Sequence, residues 1–178
     1  MNKKNLVLKN SIQKKYIDSK LLKKLSKDFN NIIEEVNKET SGLNKTLNIL
    51  NKNFKLNFKI KDLKKFKQFK IIAFIGMGGS ILGAEAINNF LEKKIKKKIY
   101  FFDNLDVKKI SKFKKKENQN KVLFLIISKS GSTVETLSNF FTLNKIKKNA
   151  KNIILISEKK NNLLFSLSKK FNLFYAEH

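Results

Sequence analysis

The sequence predicts an α/β protein: a doubly wound, parallel five-stranded sheet in the flavodoxin-like order, with an N-terminal helical arm. Three observations predict it. Five short apolar runs, at 70–76, 98–103, 121–128, 152–157 and 173–176, alternate with stretches of helical spacing. The runs are continuously apolar, such as Ile71-Ile72-Ala73-Phe74-Ile75 and Val122-Leu123-Phe124-Leu125-Ile126-Ile127, as befits strands buried on both faces. The first and third runs end in glycine- and serine-rich loops, Gly76-Met77-Gly78-Gly79-Ser80 and Ser128-Lys129-Ser130-Gly131-Ser132-Thr133.

Residues 1–69 form the predicted arm and 70–178 the α/β domain. In the arm, Leu21, Leu22, Leu25, Phe29, Ile32, Ile33 and Val36 recur at three- and four-residue spacing, the stripe of an amphipathic helix. Asp18 or Ser19 caps its start, and Thr40-Ser41-Gly42 ends it, with Gly42 suited to the C′ position. Leu43, Leu47 and Leu50 suggest a shorter second helix, Asn51-Lys52-Asn53 a break, and Leu63, Phe66 and Phe69 a helical turn. Nothing in the arm has chemical spacing, and it is expected to pack on the main domain or on a partner subunit. Beyond it, helices are predicted at 80–92, 106–115, 132–148 and 161–171. The third of these opens on Ser132-Thr133-Val134-Glu135, a capping-box pattern.

Composition excludes several function classes. The chain has no cysteine, so disulfides, thiol catalysis and thiolate metal sites are absent. No apolar run approaches the roughly 20 residues that span a bilayer. Met1-Asn2-Lys3-Lys4-Asn5 is basic, but no apolar segment with a small-residue cleavage site follows it. A soluble cytoplasmic protein is therefore expected. The net charge of +26 comes entirely from lysine, with no arginine. Bidentate readout of phosphate and guanine favours the guanidinium fork, which argues against a nucleic-acid binder. The lysines are spread along a chain rich in Asn, Ile and Phe, and read as solvated surface.

The two loops carry the chemistry. Right-handed crossovers place every strand-to-helix loop at one edge of a parallel sheet. In the order 2-1-3-4-5 the first and third strands are neighbours at the switch point, where ligands bind. Gly78 and Gly79 admit close backbone approach, and Ser80 adds a hydroxyl at a helix start. Ser128, Ser130, Ser132 and Thr133 add more hydroxyls, Gly131 permits the turn, and Lys129 brings a full positive charge. Two helix N-termini reinforce the preference for an anion. Ser132 and Glu135 have an alternative reading as capping residues. The turns after the second and fourth strands, Asp103-Asn104 and Ser157-Glu158, lack this character. There is no G-x-x-x-x-G-K-[ST] motif, which excludes a P-loop. A nicotinamide-dinucleotide fingerprint remains an alternative, because Gly76-x-Gly78 follows a strand and Asp103 ends the next. That reading has Ile81 in place of the third glycine and leaves the second loop unexplained.

Gly76-Met77-Gly78-Gly79-Ser80-Ile81-Leu82-Gly83 resembles the first phosphate-loop signature of the sugar isomerase domain, glycine-x-glycine-glycine-serine-x-leucine-glycine. Residues 128–136, from Ser128 to Glu135-Thr136, resemble its second, which ends in glutamate-threonine. Within that superfamily the pair is similar to the glucose-6-phosphate isomerase family, across residues 70–176. The local departure is Gly131-Ser132, where many members carry a bulkier residue and a threonine. The resemblance implies reversible interconversion of glucose 6-phosphate and fructose 6-phosphate in glycolysis and gluconeogenesis, an aldose–ketose isomerisation needing no cofactor. It implies that Gly79, Ser80, Ser128, Lys129, Ser130 and Thr133 hold the sugar phosphate, and that the full-length enzyme is a homodimer. It also implies a second sheet domain carrying the proton-transferring glutamate, ring-opening histidine, and catalytic arginine and lysine. These lie beyond the point matching Ala176-Glu177-His178, so the chain is expected to hold the phosphate half and no catalytic residue. His178, the only histidine, is expected to be inert. A non-catalytic sugar-phosphate-binding regulatory module is the other reading of the same site.

Overall fold

The computed structural model describes residues 18–41, 51–52 and 55–178. The chain divides into two units, residues 1–55 and 56–178. In the first, α1 (Ser19–Ser41) is the expected amphipathic helix. Asp18 caps it, its Oδ1 accepting from the Lys20 N–H at 2.8 Å. Its apolar residues Leu21, Leu25, Phe29 and Ile32 are exposed. Asn51 Nδ2 donates to the Thr40 carbonyl at 2.8 Å. The short helix expected at Leu43, Leu47 and Leu50, with Gly42 before it, lies outside the described residues.

The second unit is the predicted sheet. Its strands are β1 (Ile71–Ile75), β2 (Lys98–Phe102), β3 (Val122–Ile127), β4 (Ile153–Ser157) and β5 (Phe174–Glu177). They pair in the order β2-β1-β3-β4-β5, all parallel. Between them run α2 (Gly79–Phe90), α3 (Val107–Lys116), α4 (Val134–Leu143) and α5 (Leu163–Phe171). Successive strand side chains point to opposite faces, so the continuous apolar runs split into two cores. On one face Ala73, Ile75, Phe102, Phe124, Ile126, Ile153 and Leu155 pack with residues of α3, α4 and α5, among them Phe113, Phe140 and Leu164. Phe113 meets Tyr100, Phe102 and Phe124 edge-on, with centroids 4.9, 5.2 and 6.3 Å away. On the other face Leu123 and Ile154 pack with Phe66 and Phe69, around the 3-10 helix Ile60–Phe66. This 3-10 helix is the turn expected from Leu63 and Phe66.

At the N-terminal ends of the strands, Lys98 Nζ and Tyr100 OH both reach Glu117 Oε1 at 2.5 Å. The contact fastens the end of α3 to the start of β2, and the Lys98 ammonium holds the Glu117 carboxyl below the usual range. This polar cluster is remote from the glycine-bearing loops, which leave the opposite edge of the sheet.

One helix differs from expectation at both ends. α4 stops at Leu143, short of the predicted end at 148, because Asn144 takes an extended conformation and its N–H closes the last turn on the Phe140 carbonyl. Ile146, inside the predicted range, instead packs from the following loop against the larger core. Among the described residues no helix is long and apolar enough to cross a membrane.

Candidate functional site

The switch-point loops meet at their roots. β1 and β3 are hydrogen-bonded neighbours with Ile75 opposite Ile126, so Gly76 leaves the sheet beside Ile127. A Cβ on Gly76 would lie 2.9 Å from the Ile127 carbonyl oxygen and 3.4 Å from Ser80 Cβ. Any side chain there would pry the first loop from the base of the second. Gly78 then turns the chain into α2 with φ of 51°. The N–H of Ser80 donates to Met77, and those of Ile81 and Leu82 donate to Gly78. The first residue of α2, Gly79, is exposed, beside the half-buried Ser80.

The second loop folds its hydroxyls together. Ser128 is buried, and its Oγ lies 2.9 Å from Thr133 Oγ1 and 3.4 Å from Ser130 Oγ. Ser130 Oγ and Thr133 Oγ1 are 3.4 Å apart. Ser128 Oγ also accepts the Gly131 N–H at 3.1 Å, and Ser130 Oγ accepts the Ser132 N–H at 3.3 Å. Three hydroxyls thus form a triangle whose members each donate or accept as a ligand requires. The expected capping box is absent. Thr133, not Ser132, is the N-cap of α4, and it makes no side-chain cap. Its hydroxyl is committed to Ser128 instead, so the first turn of α4 opens toward the triangle without a side-chain cap. Glu135 sits exposed in that turn. Lys129 is two-thirds exposed, with Nζ 3.9 Å from Glu158 Oε1.

The turn after β4 does more than the sequence reading allowed. Gly131 has φ of 67°, and a Cβ there would lie 2.0 Å from Asn162 Oδ1. Asn162 is buried and fully engaged: Nδ2 donates to the Glu158 carbonyl at 2.8 Å, and Oδ1 accepts the Phe165 N–H at 2.9 Å as the N-cap of α5. Backbone bonds stitch the two loops together, from Leu164 N–H to the Gly131 carbonyl and from Glu158 N–H to the Lys129 carbonyl. Ser157, also buried, accepts a 2.6 Å hydrogen bond from Tyr175 OH at its carbonyl. Hence the hydroxyl loop is braced from β4 and β5. Asparagine before an apolar helical run signals the cap, but its second task beneath Gly131 is a contact that local sequence does not announce.

Other parts of the edge are structural. Asn139 of α4 is buried and its Nδ2 holds the Asn104 carbonyl at 2.9 Å, tying the loop after β2 to α4. Asp103, which a dinucleotide site would use for a ribose, lies 3.5 Å from Lys109. Ile81 is buried where the fingerprint wants a third glycine. Lys160 Nζ lies 2.6 Å from Glu158 Oε2 and, ahead of Lys129, holds that carboxyl below the usual range. A cleft of about 780 Å³ lined by Lys65, Phe66, Lys151 and Phe174 lies at the far ends of the strands. The site itself is open to solvent at Gly79, Lys129 and Ser130. Chemically, this open ring of hydroxyls, one ammonium and two helix starts suits a small anion.

Comparisons with known proteins identify the family. The chain is 33% identical over 166 residues to a probable glucose-6-phosphate isomerase of Methanococcus maripaludis, covering 88% of this chain and 37% of that protein. It is 35% identical over 121 residues to a glucose-6-phosphate isomerase of Borreliella afzelii, covering 61% of this chain and 22% of the relative. It therefore spans well under half the length of these relatives. The crystal structure of a hypothetical protein from Thermus thermophilus shares the fold, with a TM-score of 0.55 at 21% identity over 62% of this chain and 28% of that one. The family model of phosphoglucose isomerase matches residues 17–169. The chain belongs to the phosphoglucose isomerase family.

Proposed function

We propose that these residues are the sugar-phosphate-binding part of a glucose-6-phosphate isomerase, which interconverts glucose 6-phosphate and fructose 6-phosphate in glycolysis and gluconeogenesis. The observation that carries the reading is the triangle of Ser128, Ser130 and Thr133 hydroxyls at an uncapped helix start. Gly79 contributes a backbone amide and Ser80 a hydroxyl from the neighbouring loop, while Lys129 neutralises charge. A phosphate dianion accepts hydrogen bonds at three terminal oxygens, and charge-assisted bonds of this kind are the strong ones. In this reading 70–178 is the first of two sugar isomerase domains, and the whole enzyme is a cytoplasmic homodimer that needs no cofactor.

The loops position the substrate and leave the chemistry to other groups. Isomerisation moves a proton between C1 and C2 through a cis-enediol, after acid–base opening of the ring. That work needs a carboxylate or imidazole within hydrogen-bond reach of the reacting carbons. Beside the hydroxyl triangle the carboxylates are Glu135, exposed in the first turn of α4, and Glu158, engaged by Lys160. Neither has the setting of a positioned general base. The 178-residue chain is therefore expected to bind glucose 6-phosphate without turning it over. A coupled assay of fructose 6-phosphate formation checks this. Turnover at an enzymatic rate by this chain overturns the assignment of catalysis to residues elsewhere. Full-length protein that binds glucose 6-phosphate without isomerising it identifies the regulatory module instead.

A further inference from the structure

We propose that Glu158 is a built-in competitor at the phosphate site: its carboxylate engages Lys129 when no anion is bound and yields it when a phosphate arrives. The loop after β4 thereby sets how strongly the site takes anions. The inference rests on the phosphate reading of residues 128–133. The Glu158 N–H donates to the Lys129 carbonyl at 3.0 Å, so the two side chains leave adjacent backbones. Asn162 fixes the Glu158 carbonyl from below at 2.8 Å. The carboxylate lies 2.6 Å from Lys160 through Oε2 and 3.9 Å from Lys129 through Oε1. Two ammonium groups thus flank one carboxylate, unequally.

The inequality makes exchange cheap. Lys160 holds Glu158 closely, so departure of Lys129 does not leave the carboxylate unpaired. Lys129 is 67% exposed, and an exposed ion pair is weak enough to be surrendered to a dianion held by three hydroxyls. Glu158 is only 26% exposed, so its hold on the Lys129 ammonium is screened less. An anion entering beside Lys129 must displace the existing pair. A carboxylate beside the one lysine of an anion-binding loop lowers affinity, and raises the threshold that small, adventitious anions must meet.

Calorimetric titration with inorganic phosphate at low ionic strength tests this on the 178-residue chain. Glu158→Gln is expected to raise affinity about two- to fivefold, the range of an exposed ion pair. In a Lys129→Ala background the same substitution is expected to change affinity by less than about twofold, because the competed group is gone. Lys160→Ala, which frees Glu158 for Lys129, is expected to lower affinity in the chain that retains Lys129. A gain that persists undiminished without Lys129 indicates general charge repulsion and overturns the proposal. Phosphate binding that Glu158→Gln leaves unchanged or weakens overturns it too, while the phosphate site stands. No phosphate binding by the native chain or by Glu158→Gln removes the site and the proposal together.

Discussion

Gly131→Ala is expected to destabilise the α/β unit and to loosen the hydroxyl loop with it. Two costs combine. The left-handed backbone at φ of 67° is uncomfortable for any residue with a Cβ, by about 1–2 kcal/mol. The new methyl would also occupy the place of the Asn162 amide, 2.0 Å from Oδ1. That amide cannot swing aside freely, since it caps α5 and bonds the Glu158 carbonyl. Losing the cap adds roughly 0.5–2 kcal/mol. A total of about 1.5–4 kcal/mol corresponds to a melting temperature lower by roughly 3–15 °C in a chain of this size. Phosphate affinity should fall as well, because the Leu164–Gly131 and Glu158–Lys129 backbone bonds that brace the hydroxyls would shift. Gly83→Ala is the control. A Cβ there meets nothing within 4 Å, and it sits in the interior of α2. It is expected to be neutral or stabilising by up to about 1 kcal/mol. Thermal unfolding of both variants checks the contrast, and equal melting temperatures would show that the Asn162 brace is dispensable.

Lys129→Ala is expected to weaken glucose 6-phosphate binding by about 10- to 150-fold while the fold survives. A hydrogen bond to a charged group contributes roughly 1.5–3 kcal/mol, which converts to that range. The side chain is largely exposed and its ion pair is the long one of the Glu158 cluster, so little native packing depends on it. Ser128→Ala should behave differently. Its hydroxyl is buried, accepts the Gly131 N–H and touches two other hydroxyls. Removing it costs the turn as well as the ligand, so affinity and melting temperature should fall together. Calorimetry paired with thermal unfolding separates the two residues, and undiminished affinity in Lys129→Ala would take this lysine out of the site.

Much of this architecture was legible because it is written locally. Continuous apolar runs between helical stretches marked five strands, and the polar loops after the first and third pointed to the order β2-β1-β3-β4-β5 before any pairing was visible. The site residues in the second loop, Ser128, Ser130 and Thr133, do come together. What escaped was set by contacts distant in sequence. Ser157 and Glu158 read as an ordinary turn, yet they and Asn162 brace the hydroxyl loop far upstream. The pattern Ser132-Thr133-Val134-Glu135 fitted a capping box, but Thr133 is the N-cap and its hydroxyl is engaged by Ser128, so the helix has no side-chain cap. At the other end of α4, a helix was expected to run to 148. Asn144 ends it, and the core accepts Ile146 from a loop just as well.

On the proposed reading, the loops after β1 and β3 together form one phosphate site. Backbone amide NMR of the isotopically labelled chain, titrated with glucose 6-phosphate, tests it most directly. The high positive charge of the chain invites weak phosphate contacts everywhere, so location decides the matter rather than affinity alone. Saturable shifts are expected to concentrate at Gly79, Ser80 and residues 128–133, to be reproduced by inorganic phosphate and to be absent with glucose. Shifts scattered over the lysine-rich surface, or centred on the cleft of Lys65, Lys151 and Phe174, would contradict it.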